Sequence, residues 1–420
     1  MTTSDTASQL RTRIGDLSSS IDNQRQLLKD LEKQKSDAQG QLNALLDPMG
    51  RLPVEVSAEI FIECLPSTPT MDPDQAPAVF TEVCRAWRKL AISIPSLWTR
   101  LTDKDVAPRK FDRFFSTWAL RVKRLPISLR LVQSLPHLLD GGMLGIYAHK
   151  IQKLELHPAR LEVLMRMAFR FVGLTSLTVA RNMLGDAAFM PFFNAKPCIE
   201  LLRCAPNLVE CTFVSFTFMD EIHADAAGAS VPLTHTALKH LRLGHDSRSC
   251  TAVFLQYLTL PVLETLWISS LDIDHQDMVT FLTRSAPPLR SLYLSADYYG
   301  DGQVEQYLRL APNLTDLTIR LVDESAVSLL QLFRDGRNLL PNLPSLTVRA
   351  EFVEMEDYTI VADILRNRSA SLRFFSLILD DPEIITSVPP ADALREAIVS
   401  HRQRGMEIRI RAADSEDLAF

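Results

Sequence analysis

The pattern L-x-x-L-x-L recurs nine times after residue 150, and so short a unit cannot bury its own apolar side chains. Its copies are Ile151-Leu154-Leu156, Leu174-Leu177-Val179, Leu208-Cys211-Phe213, Leu238-Leu241-Leu243, Leu263-Leu266-Ile268, Leu289-Leu292-Leu294, Leu314-Leu317-Ile319, Leu343-Leu346-Val348 and Leu372-Phe375-Leu377, spaced by 23 to 34 residues. The alternation that ends each copy is a strand pattern, with successive side chains on opposite faces. Many copies follow a helical stretch closed by proline, as in Leu201 to Pro206, Met278 to Pro287 and Tyr307 to Pro312. Each unit thus predicts strand, loop, helix and a proline-marked turn. Stacked units bury a continuous core that none of them buries alone. The fold class expected for residues 102–412 is an α/β solenoid, a parallel sheet with outer helices, followed by a tail at 413–420. Weaker copies at Ile127-Leu129-Leu131 and Met406-Ile408-Ile410 extend the array, and Ser96 to Leu101 is a candidate first strand.

This array resembles a leucine-rich repeat. It is a degenerate one, because the asparagine that regular repeats carry after the strand survives only as Asn182, while Phe216 and Leu271 stand at that place elsewhere. Residues alternating with the inward leucines define the expected concave face: Glu155, Thr178, Thr212, His240, Arg242, Trp267, Ser291, Tyr293, Thr318, Arg320, Thr347 and Arg349. Trp, Tyr and Arg dominate binding hot spots, at about 2 kcal/mol or more each when central. The candidate substrate-binding residues are therefore His240, Arg242, Trp267, Tyr293, Arg320 and Arg349, facing an acidic or mixed protein surface. The competing reading is that Trp267 packs under a loop and the arginines only keep the sheet soluble.

Upstream, Leu52 to Leu101 carries more apolar surface than a module of its size buries. Leu52-Pro53 opens a helix with Val56, Ile60, Phe61, Cys64 and Leu65 at helical spacing. A second helix, beginning near Asp74 to Pro77, shows Phe80, Val83, Cys84, Trp87, Leu90, Ala91 and Ile94 at steps of three and four, and Pro95 ends it. The ordered set L-P-x-E, I-F, V-C-x-x-W and P-S-L-W resembles an F-box, matched here by Leu52, Pro53, Glu55, Ile60, Phe61, Val83, Cys84, Trp87, Leu97 and Trp98. The match spans about an eighth of the chain, residues 48–101. It departs from the usual F-box in the long Pro66 to Pro77 link. The resemblance implies a small all-α unit that docks a Skp-type adaptor of a cullin-RING ubiquitin ligase through Leu52, Pro53, Glu55, Ile60, Val83, Cys84 and Trp87. It further implies that the repeats hold a protein substrate and that the chain is a non-catalytic adaptor. Two other readings stay open: a helical hairpin that merely caps the solenoid, and an interaction scaffold outside any ubiquitin pathway.

Before this unit, Leu10, Ile14, Leu17, Ile21, Gln24, Leu28, Leu31, Lys35, Ala38, Leu42 and Leu45 alternate steps of four and three. That is a coiled-coil seam over residues 7–47, preceded by a disordered start at 1–6 and stopped by Asp47-Pro48. At 1.5 Å per residue the helix would reach about 60 Å. It reads either as a homodimerisation rod or as a single amphipathic helix folded back.

The remaining composition excludes more than it assigns. A net charge of −6 with 23% charged residues argues against a dedicated nucleic-acid binder. The nine Arg or Lys between Arg100 and Arg130 fit either a phosphate-attracting face or a solvated helix surface. The N-terminus lacks an apolar h-region and no long uncharged apolar run occurs, which predicts an intracellular chain, cytoplasmic or nuclear, that does not span a membrane. Six cysteines without a CxxC pair fit buried thiols in a reducing compartment. His235, His240 and His245 match no metal-ligand spacing, and Gly300-Asp-Gly302 lacks a strand-to-helix phosphate fingerprint. No cofactor and no metal are expected.

Overall fold

The computed structural model describes residues 3–46, 49–70, 72–104, 108–132, 142–161, 164, 170–180, 192–214, 217–219, 232–244, 251–269, 275–295, 303–321, 326–335, 339–350, 355–380 and 392–412. They fall into two compact units, one of Met1–Leu101 with Thr117–Leu125, the other of Thr102–Ser116 with Pro126–Phe420. The chain crosses from one unit to the other after Leu101, and the segment 117–125 belongs with the first unit. The cause is the Trp98 indole, which is fully buried. The Trp118 Nε1 donates to the Trp98 carbonyl at 2.6 Å, the two rings meet edge to face, and the Arg121 guanidinium lies 4.2 Å over the Trp98 ring.

The first unit opens with α1 (Thr3–Leu46), a helix of 44 residues. Residues 3–6, expected to be disordered, continue this helix. α2 (Val54–Glu63) follows, with Pro53 as its N-cap. The face it buries is Ser57 and Phe61, whereas Val56 and Ile60 are 44% and 39% exposed. The anticipated single second helix is in fact two, α3 (Phe80–Val83) and α4 (Arg85–Ser93). Cys84 between them is extended (φ −158°, ψ 170°), and its sulfur accepts from the Trp87 N–H at 3.4 Å as an N-cap. The break leaves carbonyls without helical partners, and Arg88 Nε donates to the Thr81 carbonyl at 2.6 Å. The Pro-rich link is held by its own polar contacts, among them Thr70 Oγ1 to Gln75 Oε1 at 3.0 Å. It nevertheless lets the helices meet: Phe61 stacks on Phe80 at 4.3 Å, and Trp87 sits 5.0 Å from Phe61.

The second unit is built on one sheet of 12 described strands. β1 (Arg100–Thr102) is where the chain passes from one unit to the other; Pro95–Trp98 form a 3-10 turn, so the candidate strand at Ser96 starts later than expected. Then come β2 (Ile127–Leu131), β3 (Ile151–Leu156), β4 (Ser176–Ala180), β5 (Glu210–Val214), β6 (His240–Gly244) and β7 (Thr265–Ser269). β8 (Ser291–Ser295), β9 (Asp316–Leu321), β10 (Ser345–Ala350), β11 (Phe374–Leu379) and β12 (Glu407–Ala412) complete it. The strands lie in chain order and pair in parallel from β2 onward. The alternating ends of all nine repeat motifs and of both weaker copies lie on this sheet, so the unit is an α/β solenoid.

Register explains the repeat. Leu154, Leu177, Cys211, Leu241, Leu266, Leu292, Leu317, Leu346, Phe375 and Ile408 stand beside one another across ten strands, each 3% exposed or less. Helices between the strands bury their own apolar sides, for example Met278, Phe281 and Leu282 of His275–Ser285 and Leu394 and Ile398 of Asp392–Gln403. Just ahead of the strands, two successive N–H groups of one repeat donate to a single carbonyl of the repeat before: Lys239 and His240 to Val209, Glu264 and Thr265 to Lys239, Arg290 and Ser291 to Glu264. Arginines stitch the helix ends. Arg284 donates to the Leu255 and Leu258 carbonyls of the preceding repeat, and Arg368 to those of Phe333 and Leu340.

Near the start of the array, Asp103 and Arg160 form an ion pair of 2.6 Å with both side chains at most 3% exposed. Asp103 Oδ1 also accepts from the Val132 N–H at 2.7 Å. Burial pulls the Arg160 pKa down, and Asp103 opposes that pull. Removing one partner of such a pair strands a buried charge, so Asp103→Ala should lower unfolding free energy by about 3 kcal/mol in urea titration. A loss under about 1 kcal/mol would show the pair to be dispensable.

Candidate functional site

Strand parity leaves one face of the solenoid sheet half exposed, and the parallel register aligns its side chains in rows. The central row reads Arg242 on β6, Trp267 on β7 and Tyr293 on β8. These three form one stack. The Arg242 guanidinium lies 4.0 Å over the Trp267 ring, and the Trp267 and Tyr293 rings are stacked at 4.5 Å and 23°. Trp267 is thus on the open face and not in the core, although its indole leans over the neighbouring strand. Gly244 allows that lean: a Cβ there would lie 3.0 Å from Trp267 Cζ3 and 2.6 Å from Val214 Cγ1.

The other sequence candidates occupy flanking rows. His240, one row lower, exchanges a 3.0 Å hydrogen bond with Thr265 Oγ1. Arg320 and Arg349, one row higher and side by side, both reach Asp380, at 3.2 and 2.6 Å. That carboxylate follows β11 directly, and sequence reasoning missed it because the residues it serves lie 60 and 31 positions away. Its charge halves the positive character expected there. A second missed group is Asp316, which accepts from Ser291 Oγ at 3.3 Å and Ser345 Oγ at 2.8 Å and so joins three adjacent strands. The open face is therefore an aromatic stripe bordered by paired charges.

On the helical unit the expected adaptor contacts divide. Leu52, Pro53, Glu55, Ile60 and Val83 are exposed, Cys84 is half-buried as the α4 cap, and half-buried Trp87 belongs to the Phe61–Phe80 cluster. Beside Val83 and Cys84 runs an open groove of about 1290 Å³ between α4 and the Glu32 to Gln41 stretch of α1. Asp37 and Arg85 approach to 3.6 Å across it.

Other chemistries find little to work with. His235 is buried, its Nε2 bonded to the Ala205 carbonyl at 3.0 Å and its Nδ1 accepting from the Leu238 N–H at 3.1 Å, so both ring nitrogens serve the backbone. His245 and Gly300-Asp-Gly302 lie outside the described residues. Among the described residues no three His, Cys, Asp or Glu side chains are grouped to hold a metal ion. Burial pushes the Cys198 and Cys211 thiols up, away from thiolate chemistry. Of the basic residues after Arg100, Arg121 covers Trp98 and Arg130 pairs with Glu155 at 2.8 Å. No helix among the described residues is long and apolar enough to cross a membrane.

Two outcomes follow from this geometry. Burial holds His235 below its ordinary pKa, while the Ala205 hydrogen bond opposes this; burial and the nearby Arg404 and Arg366 likewise lower His401. A lowered folded pKa means that the unfolded chain takes up its proton first as pH falls. Stability should therefore be full above about pH 6.5 and decline below it, and His235→Gln should flatten the slope in urea titrations across that range. An unchanged slope would assign the decline elsewhere. Gly244→Ala, whose Cβ would clash with Val214 Cγ1 and crowd the indole, should cost about 1–2 kcal/mol and shift Trp267 ring resonances in NMR.

No protein-family model and no curated protein matches the chain. Among solved structures, a TLR13–ssRNA13 complex aligns at 16% identity and TM-score 0.37, covering 64% of this chain and 35% of that one. The leucine-rich repeat-containing protein LegL7 from Legionella pneumophila aligns at 13% identity and TM-score 0.39, covering 72% of this chain and 89% of that one. The present chain thus spans about a third of the TLR13 chain it matches. The solenoid assignment rests on this chain's own strand register and not on these likenesses.

Proposed function

We propose that the chain is a non-catalytic receptor of a cullin-RING ubiquitin ligase, acting inside the cell. Its helical unit docks a Skp-type adaptor, and the open face of its solenoid holds a protein substrate. The observation that carries this reading is how the F-box-like residues divide. Phe61, Leu97 and Trp98 are at most 1% exposed and hold the unit together. Leu52, Val54, Val56, Ile60 and Val83 are 39 to 56% exposed. An apolar set that its own fold leaves in water suits a partner surface.

The solenoid contributes the second contact. Arg242, Trp267 and Tyr293 are of the residue types that anchor protein interfaces, and their stacking fixes them before a partner arrives, which lowers the ordering cost of binding. The mechanism is then proximity. Holding a substrate lysine near a ubiquitin-charged enzyme raises its effective concentration, and the chain supplies no reacting group.

Co-purification with a Skp-type adaptor tests the first half. The Leu52→Ala, Ile60→Ala, Val83→Ala variant removes exposed side chains only, so it should stay folded and bind the adaptor at least about a hundredfold more weakly. Failure of the unaltered chain to bind any such adaptor would leave the interaction scaffold as the better reading. For the second half, Trp267→Ala with Tyr293→Ala should abolish substrate capture in proximity labelling while adaptor binding persists. Undiminished capture would move the substrate site off this face.

A further inference from the structure

The seam of α1 is left in water. Leu10, Ile14, Leu17, Leu28, Leu31 and Leu45 are 51 to 71% exposed. The side of the helix turned to α4 is another one, since the groove there is lined by Glu32, Ser36, Asp37, Gln39, Gly40 and Gln41, and of the seam only Lys35 reaches its edge.

We propose that this seam pairs antiparallel with the α1 of a second copy, in one register. In heptad terms Ile14, Ile21, Leu28, Lys35 and Leu42 are a positions, and Leu10, Leu17, Gln24, Leu31, Ala38 and Leu45 are d positions. An antiparallel pair sets each a opposite a d of its partner. Centred between Leu28 and Leu31, the layers become Ile14–Leu45, Leu17–Leu42, Ile21–Ala38, Gln24–Lys35 and Leu28–Leu31, each made twice by the two-fold axis. The two polar seam residues fall opposite each other, where the Lys35 ammonium can donate to the Gln24 amide oxygen. Sliding the pair by one heptad in either direction sets Gln24 and Lys35 against leucines. A parallel pair sets Lys35 against Lys35, a like-charge layer. The sequence of the seam is its own complement when reversed, which is the property expected of a surface meeting a second copy of itself.

In such a dimer the chains leave the rod at opposite ends, roughly 46 Å apart at 1.5 Å per residue from Ile14 to Leu45.

Sedimentation equilibrium of the full chain should give twice 47.3 kDa. Leu28→Asp should return the monomer with the solenoid still folded by its urea transition. Gln24→Lys places lysines opposite each other and should weaken the dimer about tenfold, and adding Lys35→Glu should restore it to within about threefold. Recovery supports the antiparallel register, because in a parallel pair the double variant would hold two like-charge layers. A monomeric chain, or a double variant no tighter than the single, would overturn the proposal.

Discussion

Everything in the solenoid depends on one constraint: each strand must present its leucines at the same height as the strand before. The carbonyl of one repeat that receives two N–H groups from the next sets that height, as at Val209, Lys239 and Glu264. With the height set, Leu241, Leu266, Leu292 and Leu317 fall into a single buried column. The same alignment acts on the other face, where it places Arg242, Trp267 and Tyr293 in a row. Core and candidate site are two sides of one register. A slip of one residue would exchange them.

The first unit is organised differently, around aromatic side chains and not around a ladder. Phe61, Phe80 and Trp87 close the helices on one another, and Trp98 with Trp118 fixes the segment that follows. Because these rings take up the interior, the aliphatic residues of α2 are left outside. This is the physical origin of the exposed set on which the proposed adaptor contact rests.

Much of this architecture was readable from spacing. The period of the leucines placed every main strand from Ile127 onward, and parity put Trp267 and Tyr293 on the same face because alternation in a strand is obligatory. Spacing alone misjudged α2, since a helical stripe of Val56 and Ile60 looks like a buried face until Phe61 is seen to fill the interior. It also joined α3 and α4, because the break at Cys84 comes from a local backbone choice that leaves the periodicity of Phe80, Val83 and Trp87 unchanged. The pairing of Arg320 and Arg349 with Asp380 and the seat of Trp267 over Gly244 depend on contacts across neighbouring repeats, which no local pattern announces.

The outermost of the described strands differ from those between them. A ladder of identical strands has no internal reason to end, and an unpaired outermost strand is an invitation to add a strand from another molecule. In the order of the described strands, one end is β1, of three residues, and the other is β12, with the sequence EIRIRA. On β12, Glu407, Arg409 and Arg411 alternate with Ile408 and Ile410, and Arg409 is tied back to Glu407 and over the Phe374 ring. A foreign strand docking there would have to lie along a line of charges. Of the described strands, the outermost at this end is thus poorly suited to templating fibre growth.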